Sequence, residues 1–449
     1  MRKRFFTRER RVLDAEILRL AIPGIVTNIT VPLLGWVDLT LAGRAVVADT
    51  GQSAAQFVGA VALGSMVFNV MYWLLGFLRM STSGLTAQAY GARDTQRVRL
   101  MFGQSMLVAA FLGILLLMLQ TPLCWLMHLI MGASDDVWPM VETYFGICIW
   151  GAPAVLASYS LTGWFIGMQD TRTPMLVSVS QNVLNIACSL LFVVGLHMQI
   201  EGVALGTLIA QWVGALMLAW HAAPIHTKGK GMFHFSRFTF HSLRSLAPFL
   251  RVSRDIFLRT FCLVAVNLWF VSAGARQGDV VLAANALLMT LFTMFSYVLD
   301  GFANAGEALC GRYYGKKKVA VQTMLRRVIV RLYQWGIGMA VVFTLVYLVG
   351  GSSILRLFTE SSDVIKTARS YLVWAELVPF VGFAAFVADG ICIGLTRTRL
   401  MLLASAVATA EFFMVSMAFP FNNHVLWLAL ILYLLIRGLV QTRRIMLKD

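Results

Sequence analysis

Apolar positions fill this chain in long blocks of about 20 residues, the length a helix needs to cross a bilayer, and polar residues collect between the blocks. Twelve such blocks can be read, centred near Val31, Met71, Leu112, Ala154, Ile186, Leu208, Val264, Met294, Val341, Phe383, Ala408 and Leu430. The pattern predicts an all-α integral membrane protein with twelve transmembrane helices. The first block, from Val12 to Ala42, is too long for a cleavable leader, contains Asp38 and has no small-residue cleavage site. It reads as a retained span.

The blocks repeat. Ala60, Ala62, Leu63 and Phe68 match Ala284, Ala286, Leu287 and Phe292. Gly76-Phe77 and Tyr90-Gly91 recur as Gly301-Phe302 and Tyr314-Gly315. Pro153 has a counterpart in Pro379, and Gly167, Thr171 and Arg172 correspond to Gly394, Thr398 and Arg399. Each pair lies about 225 residues apart, which predicts two similar six-helix bundles in the same orientation with a substrate cavity between them. The expected division is an N-lobe over residues 1–227, then a cytoplasmic linker and a C-lobe over residues 228–449.

Composition agrees: 59% of the 449 residues are hydrophobic and 13% charged, with a mean hydropathy of +0.76, too little charge to cover a soluble surface. The net charge of +16 is no nucleic-acid signature, because its placement alternates. Basic stretches at Arg2–Arg11, Arg93–Arg99, Lys228–Arg254, Arg312–Arg327, Arg397–Arg399 and Arg437–Lys448 face segments holding only Arg44, Arg276, Arg356, Lys366 and Arg369. Roughly 30 of the basic residues fall on one side, the positive-inside asymmetry that puts both termini in the cytoplasm. The six cysteines lie singly and the seven histidines lack ligand spacing, so neither forms a metal motif.

Ionisable residues at membrane depth are expensive and are candidates for function. Asp38 stands first: Pro32 loosens the helix ahead of it, and a carboxylate there can carry a proton or a sodium ion. Gln181, Asn182, Asn185 and Ser189 offer amide and hydroxyl partners, as does Thr207, or else they tie helices together. The second half holds Asp300, Glu307, Asp389 and Glu411. Arg259 can pair with Asp300 or Asp389, Glu307 reads as a solvated or capping residue, and Arg79 as a side chain snorkelling to the interface.

These landmarks together resemble the multidrug and toxic compound extrusion (MATE) transporters, in their DinF-like branch, over about residues 14 to 440. The segments that carry the resemblance are Pro32-Leu-Leu-Gly-Trp-Val-Asp-Leu-Thr40, Gly167-Met-Gln-Asp-Thr-Arg-Thr-Pro174, Asn182-Val-Leu-Asn185, Ala283-Ala-Asn285, Leu299-Asp-Gly-Phe302, Glu307-Ala-Leu309 and Ala388-Asp-Gly-Ile391. The resemblance implies a V-shaped, outward-facing bundle that expels organic cations, and no enzymatic activity. It implies Asp38 as the essential acid of a cation site with Asn185 and Thr207, and Asp300 and Asp389 as acids of a second-lobe site. Many relatives have an aspartate where this chain has Ser189. One carboxylate suffices for a proton and makes a poorer sodium cage, so proton coupling is expected, with sodium as the other possibility and no cofactor. The bacterial inner membrane is the expected location, a monomer the expected state, and an organic cation or amphipathic molecule the expected partner. A flippase of lipid-linked cargo is the alternative, disfavoured because only Arg259 and Arg79 supply intramembrane cations. A membrane transferase would need an acid cluster or His-rich motif, and an ATP-driven pump a phosphate loop that the sequence lacks.

Overall fold

A computed structural model of the chain describes residues 10–30, 54–131, 134, 136–227, 242–316, 319–419 and 422–447. These residues are helical, with no strand among them. Helix α1 covers residues 10–30. It is followed in the first half by α2 (Ala54–Leu75), α3 (Phe77–Gly91), α4 (Thr95–Met118), α5 (Gln120–Met131), α6 (Trp138–Cys148), α7 (Ala152–Gly167), α8 (Arg172–Leu190) and α9 (Ile200–Thr227). The second half holds α10 (Ser242–Ala275), α11 (Asp279–Gly315), α12 (Val319–Phe358), α13 (Ser362–Gly394), α14 (Thr398–Ala418) and α15 (Asn423–Leu447).

Eleven helical stretches among the described residues are long and apolar enough to cross a membrane. Each contains one of the expected centres from Met71 to Leu430. The first centre, Val31, lies just past α1 and, like Asp38, outside the described residues. Side chains such as Met118, Trp220 and Val349 stand 74%, 79% and 89% exposed, which water would punish and lipid does not.

The repeat seen in the sequence returns as packing. In the first half α3 lies on α7, α7 on α4 and α9, and α8 on α9; in the second half α11 lies on α13, α13 on α12 and α15, and α14 on α15. Matched residues are both engaged across helices, with different partners. The Thr171 hydroxyl donates to Arg19 O at 3.5 Å, and its counterpart Thr398 donates to Asp255 Oδ2 at 3.0 Å. A Cβ on Gly163 would run into Arg79 O, and one on Gly390 into Ala303 O.

The halves differ in how their spans are built. The second span divides at Gly76 into α2 and α3, whereas α11 runs unbroken through the equivalent Asp300-Gly301. The fourth span divides into α6, a 3-10 turn at Ile149–Gly151 and α7, which opens on Pro153. Proline fits a helix's first turn, where its missing N–H has no intrahelical partner. Its counterpart Pro379 lies inside the continuous α13, sandwiched between α11, α12 and α15. The fifth span ends in a π turn at Leu191–Gly195.

Between the halves runs a seam where α3 packs on α11, α10 and α13. Backbones touch there because side chains are missing: a Cβ on Gly84 would meet Ile393 O, one on Gly91 Arg312 O, and one on Gly315 Gln88 O. The seam lies toward the ends of α3 and α11 that lead into the basic stretches Arg93–Arg99 and Arg312–Arg327.

Candidate functional site

The first-half cluster is built on α8 and α9. Asn182, Asn185 and Ser189 follow one another at three- and four-residue spacing, so they share one stripe of α8. Asn185 is 2% exposed and Ser189 fully buried. The Asn185 amide donates to Thr207 Oγ1 at 3.0 Å, and the Thr207 hydroxyl donates on to Val203 O at 3.0 Å. That chain uses the donors and leaves acceptors over. Asn185 Oδ1 and Ser189 Oγ are shielded from solvent with no hydrogen-bond partner among the described residues, as is Asn182 Nδ2. Ser189 is held against α9 at Gly206, where a Cβ would stand 2.6 Å from its Oγ. Gln181 points instead toward Gly214, away from this set. Buried oxygens without donors suit a small cation or a protonated acid, since an unsatisfied buried acceptor costs about 1–3 kcal/mol. The fifth expected member, Asp38, falls outside the described residues.

The second-half acids do not form the expected pair. Asp389, 6% exposed, is surrounded by donors: Arg259 Nη2 and Arg437 Nη2 both bond Oδ2, the latter at 2.8 Å, and Gln441 Nε2 bonds Oδ1 at 2.9 Å. Of the two partners open to Arg259, the structure selects Asp389. Arg437 and Gln441 are additions that the sequence reading missed. The sequence groups Arg437 with a basic stretch outside the apolar block; in the fold it is 2% exposed, flanked by the rings of Phe386 and Tyr433. The signal was present, because the apolar run of α15 continues to Val440, past Arg437, and Gln441 follows one turn later on the same face. A second closed polar set ties α11 to α15: Asn285 and Asn423 exchange amide bonds at 2.8 and 2.9 Å, and Trp427 Nε1 donates to Asn285 Oδ1 at 2.9 Å.

Asp300 is half-buried and, among the described residues, makes no hydrogen bond or ion pair, although Arg79, Arg259 and Arg437 all act on it electrostatically. Glu411 on α14 is also left over, both its carboxylate oxygens shielded and without a partner among the described residues.

Two expectations are corrected at the seam. Glu307 is not a solvated cap; it is 1% exposed. Arg79 does not snorkel. It crosses from α3 to α11, with Nη1 donating to Asn304 Oδ1 at 3.0 Å and to Glu307 Oε2 at 3.3 Å. The glycine contacts of the seam bring α3 close enough for that reach. Nearby, Arg331 grips Asp14 through Nε and Nη2 at 2.6 and 2.7 Å, Trp335 Nε1 adds a bond at 3.0 Å, and Arg312 bonds Glu16 at 2.9 Å. The first helix is thereby pinned to α11 and α12.

A bundle of apolar spans, duplicated, with buried amides and hydroxyls in the first half and buried charges in the second, is that of a multi-pass membrane protein. The chain belongs to the MatE family, whose model matches residues 23–191 and again 256–418. It is 38% identical to DNA damage-inducible protein F of Escherichia coli (strain K12) across 95% of this chain and 90% of that protein. It is 24% identical to Protein DETOXIFICATION 44, chloroplastic, of Arabidopsis thaliana, across 95% of this chain and 81% of that one. A probable multidrug resistance protein NorM of Acinetobacter baylyi matches 67% of the chain at 23% identity and is covered over 66% of its own length. In solved structures the fold recurs in a MATE protein in a bent conformation, with a TM-score of 0.83 at 18% identity over 97% of this chain and 96% of that one. Members of the family are transporters, not enzymes.

Proposed function

We propose that the protein is a secondary antiporter of the bacterial inner membrane, exporting organic cations or amphipathic toxic compounds against an inward flow of protons. The observation that carries this reading is the pair of buried, unsatisfied acceptors Asn185 Oδ1 and Ser189 Oγ. A coupling cation, or the acidic proton of Asp38, would satisfy oxygens that otherwise stand unpaired. The loading cycle follows from that chemistry. With Asp38 ionised, the N-lobe favours an arriving cation; with Asp38 protonated, that counter-charge is gone and the lobe repacks. Only one carboxylate serves the set, which favours the proton over sodium. Asp389 is already committed to Arg259 and Arg437, so Asp300 is the second-lobe acid left for a cationic substrate to meet.

A lipid-linked cargo with a pyrophosphate would need free cations inside the membrane. Arg437 joins Arg259 as a buried arginine beside the part-buried Arg79, but each of the three is held by a carboxylate. In proteoliposomes loaded with an ethidium-like dye, an imposed proton gradient should drive efflux with no sodium present, and Asp38→Asn should abolish it. Efflux driven by sodium alone would overturn proton coupling, and an Asp38→Asn variant as active as wild type would overturn the site. The basic stretches support placing both termini in the cytoplasm, which puts the seam on the cytoplasmic side and opens the cleft outward. We further read the chain as a monomer.

A further inference from the structure

Asp300, Asn304 and Glu307 lie four and three residues apart on α11, so they form a polar ladder along one stripe of that helix. Arg79 of the opposite half holds the lower two rungs, Asn304 and Glu307. The upper rung, Asp300, has no bonded partner among the described residues, yet it is under the influence of the same Arg79. Asn304 is common to the pair of rungs below it and the pair above it.

We infer that Arg79 is a ratchet: in the opposite state of the transporter its guanidinium leaves Glu307, keeps Asn304, and pairs with Asp300 one helical turn higher. The inference rests on the two-lobed rocking of the proposed function and adds the residues that set its two end points.

Three features of the molecule support it. First, a one-turn step of about 5.4 Å is the displacement by which packed helices move from one set of partners to the next. Second, at Gly84, Gly91 and Gly315 the seam is bare backbone against backbone, with no side chain interlocked at those three points. Third, a buried arginine released from one carboxylate is strongly unfavourable unless another receives it, and Asp300 is the carboxylate within the ladder that stands ready. A cationic substrate meeting Asp300 would compete with Arg79 for it and hold the arginine on Glu307. Arg79 is thus a positioning residue: it sets which side of the cleft is closed and touches neither ion nor substrate.

The test uses spin labels at the exposed positions Gln96 and Tyr314, one in each half near the seam, in full-length protein with its native cysteines replaced by alanine and reconstituted in lipid. Wild type should show two distances, close and far. Glu307→Gln should move the population toward the far state, and Asp300→Asn toward the close state, each by about tenfold, as expected for one charge-assisted hydrogen bond. With Arg79→Gln in the background, neither substitution should move the balance further, a readout that general loss of stability does not mimic. The ratchet is overturned if both variants shift the balance the same way, or if their effects persist without Arg79. A single distance in wild type and all variants would remove the rocking itself, and the ratchet with it. Should Arg79→Gln fold poorly, Arg79→Lys serves: a point charge without the two-pronged fork should reduce both shifts while keeping their signs.

Discussion

The two halves share an architecture and treat their buried polar groups in opposite ways. In the first half, the Asn185 amide and Thr207 hydroxyl donate, while Asn185 Oδ1, Ser189 Oγ and Asn182 Nδ2 are left without a partner among the described residues. In the second, Asp389 is saturated by two arginines and a glutamine, and Asn285 and Asn423 satisfy each other. The backbones follow suit. The first half breaks its second and fourth spans and ends its fifth in a π turn, while α11 and α13 run unbroken. Polar groups closed on one another fix a packing, and open ones await a ligand. Duplication thus supplied two frames, one with broken spans and one with continuous spans; among the described residues the second still leaves Asp300 and Glu411, and Nε of Arg259 and Arg437, without partners.

That contrast can be broken most forcefully at the hub. Asp389→Ala would strand Arg259 and Arg437 without their counter-charge and should destabilise the protein by about 3–5 kcal/mol, read as a lowered midpoint of thermal unfolding in detergent. A loss of less than a third of that would show that the second half is not held by this charge cluster. Next in size come the matched glycines. Gly390→Ala and Gly163→Ala each drive a methyl into a neighbouring carbonyl, and overpacking of this kind should cost about 1–3 kcal/mol. The broken spans around Gly163 should yield more readily, so the Gly163 variant should lie at the low end and Gly390 at the high end. The reverse order in unfolding midpoints would contradict the assignment of rigidity.

Asn185→Leu removes one interhelical hydrogen bond and two half-satisfied buried groups. Its stability should change by less than about 2 kcal/mol, the upper range for such bonds in membranes, while proton-driven dye efflux falls to background. Smallest is Arg331→Gln, which releases Asp14 at a partly exposed site; such pairs contribute about 1 kcal/mol or less. Its unfolding midpoint should scarcely move, and a large drop would mean that the pinning of α1, rather than the hub, holds the halves in place.

The bundle was legible because lipid leaves a strong signature: apolar blocks of one length, basic residues on alternate sides, and landmarks repeating at a fixed offset. Site residues were legible where a polar side chain interrupts an apolar block, as with Asn185, Ser189 and Asp389. Arg437 escaped because Arg443 and Arg444 follow it and merge it with a surface stretch, although the apolar run continues to Val440; the packing of α15 on α13 places it beneath the surface. Glu307 escaped for a related reason. Its burial depends on how closely α3 approaches, and that closeness comes from glycines on distant segments of the chain. Pairings set by tertiary register leave little trace in local composition.

The division of labour between the halves is tested most directly by proton-driven dye efflux in proteoliposomes from two variants. Asp389→Asn combined with Arg259→Gln disturbs the hub but keeps its net charge, since one cation and one anion are removed together. Asp38→Asn removes the acid proposed for the ion site. The hub variant should retain efflux within a few-fold of wild type once normalised to folded protein, and the Asp38 variant should show none. A folded hub variant that fails to couple efflux to protons, or an Asp38 variant that still does, would contradict the assignment of the ion to the first half and of the scaffold to the second.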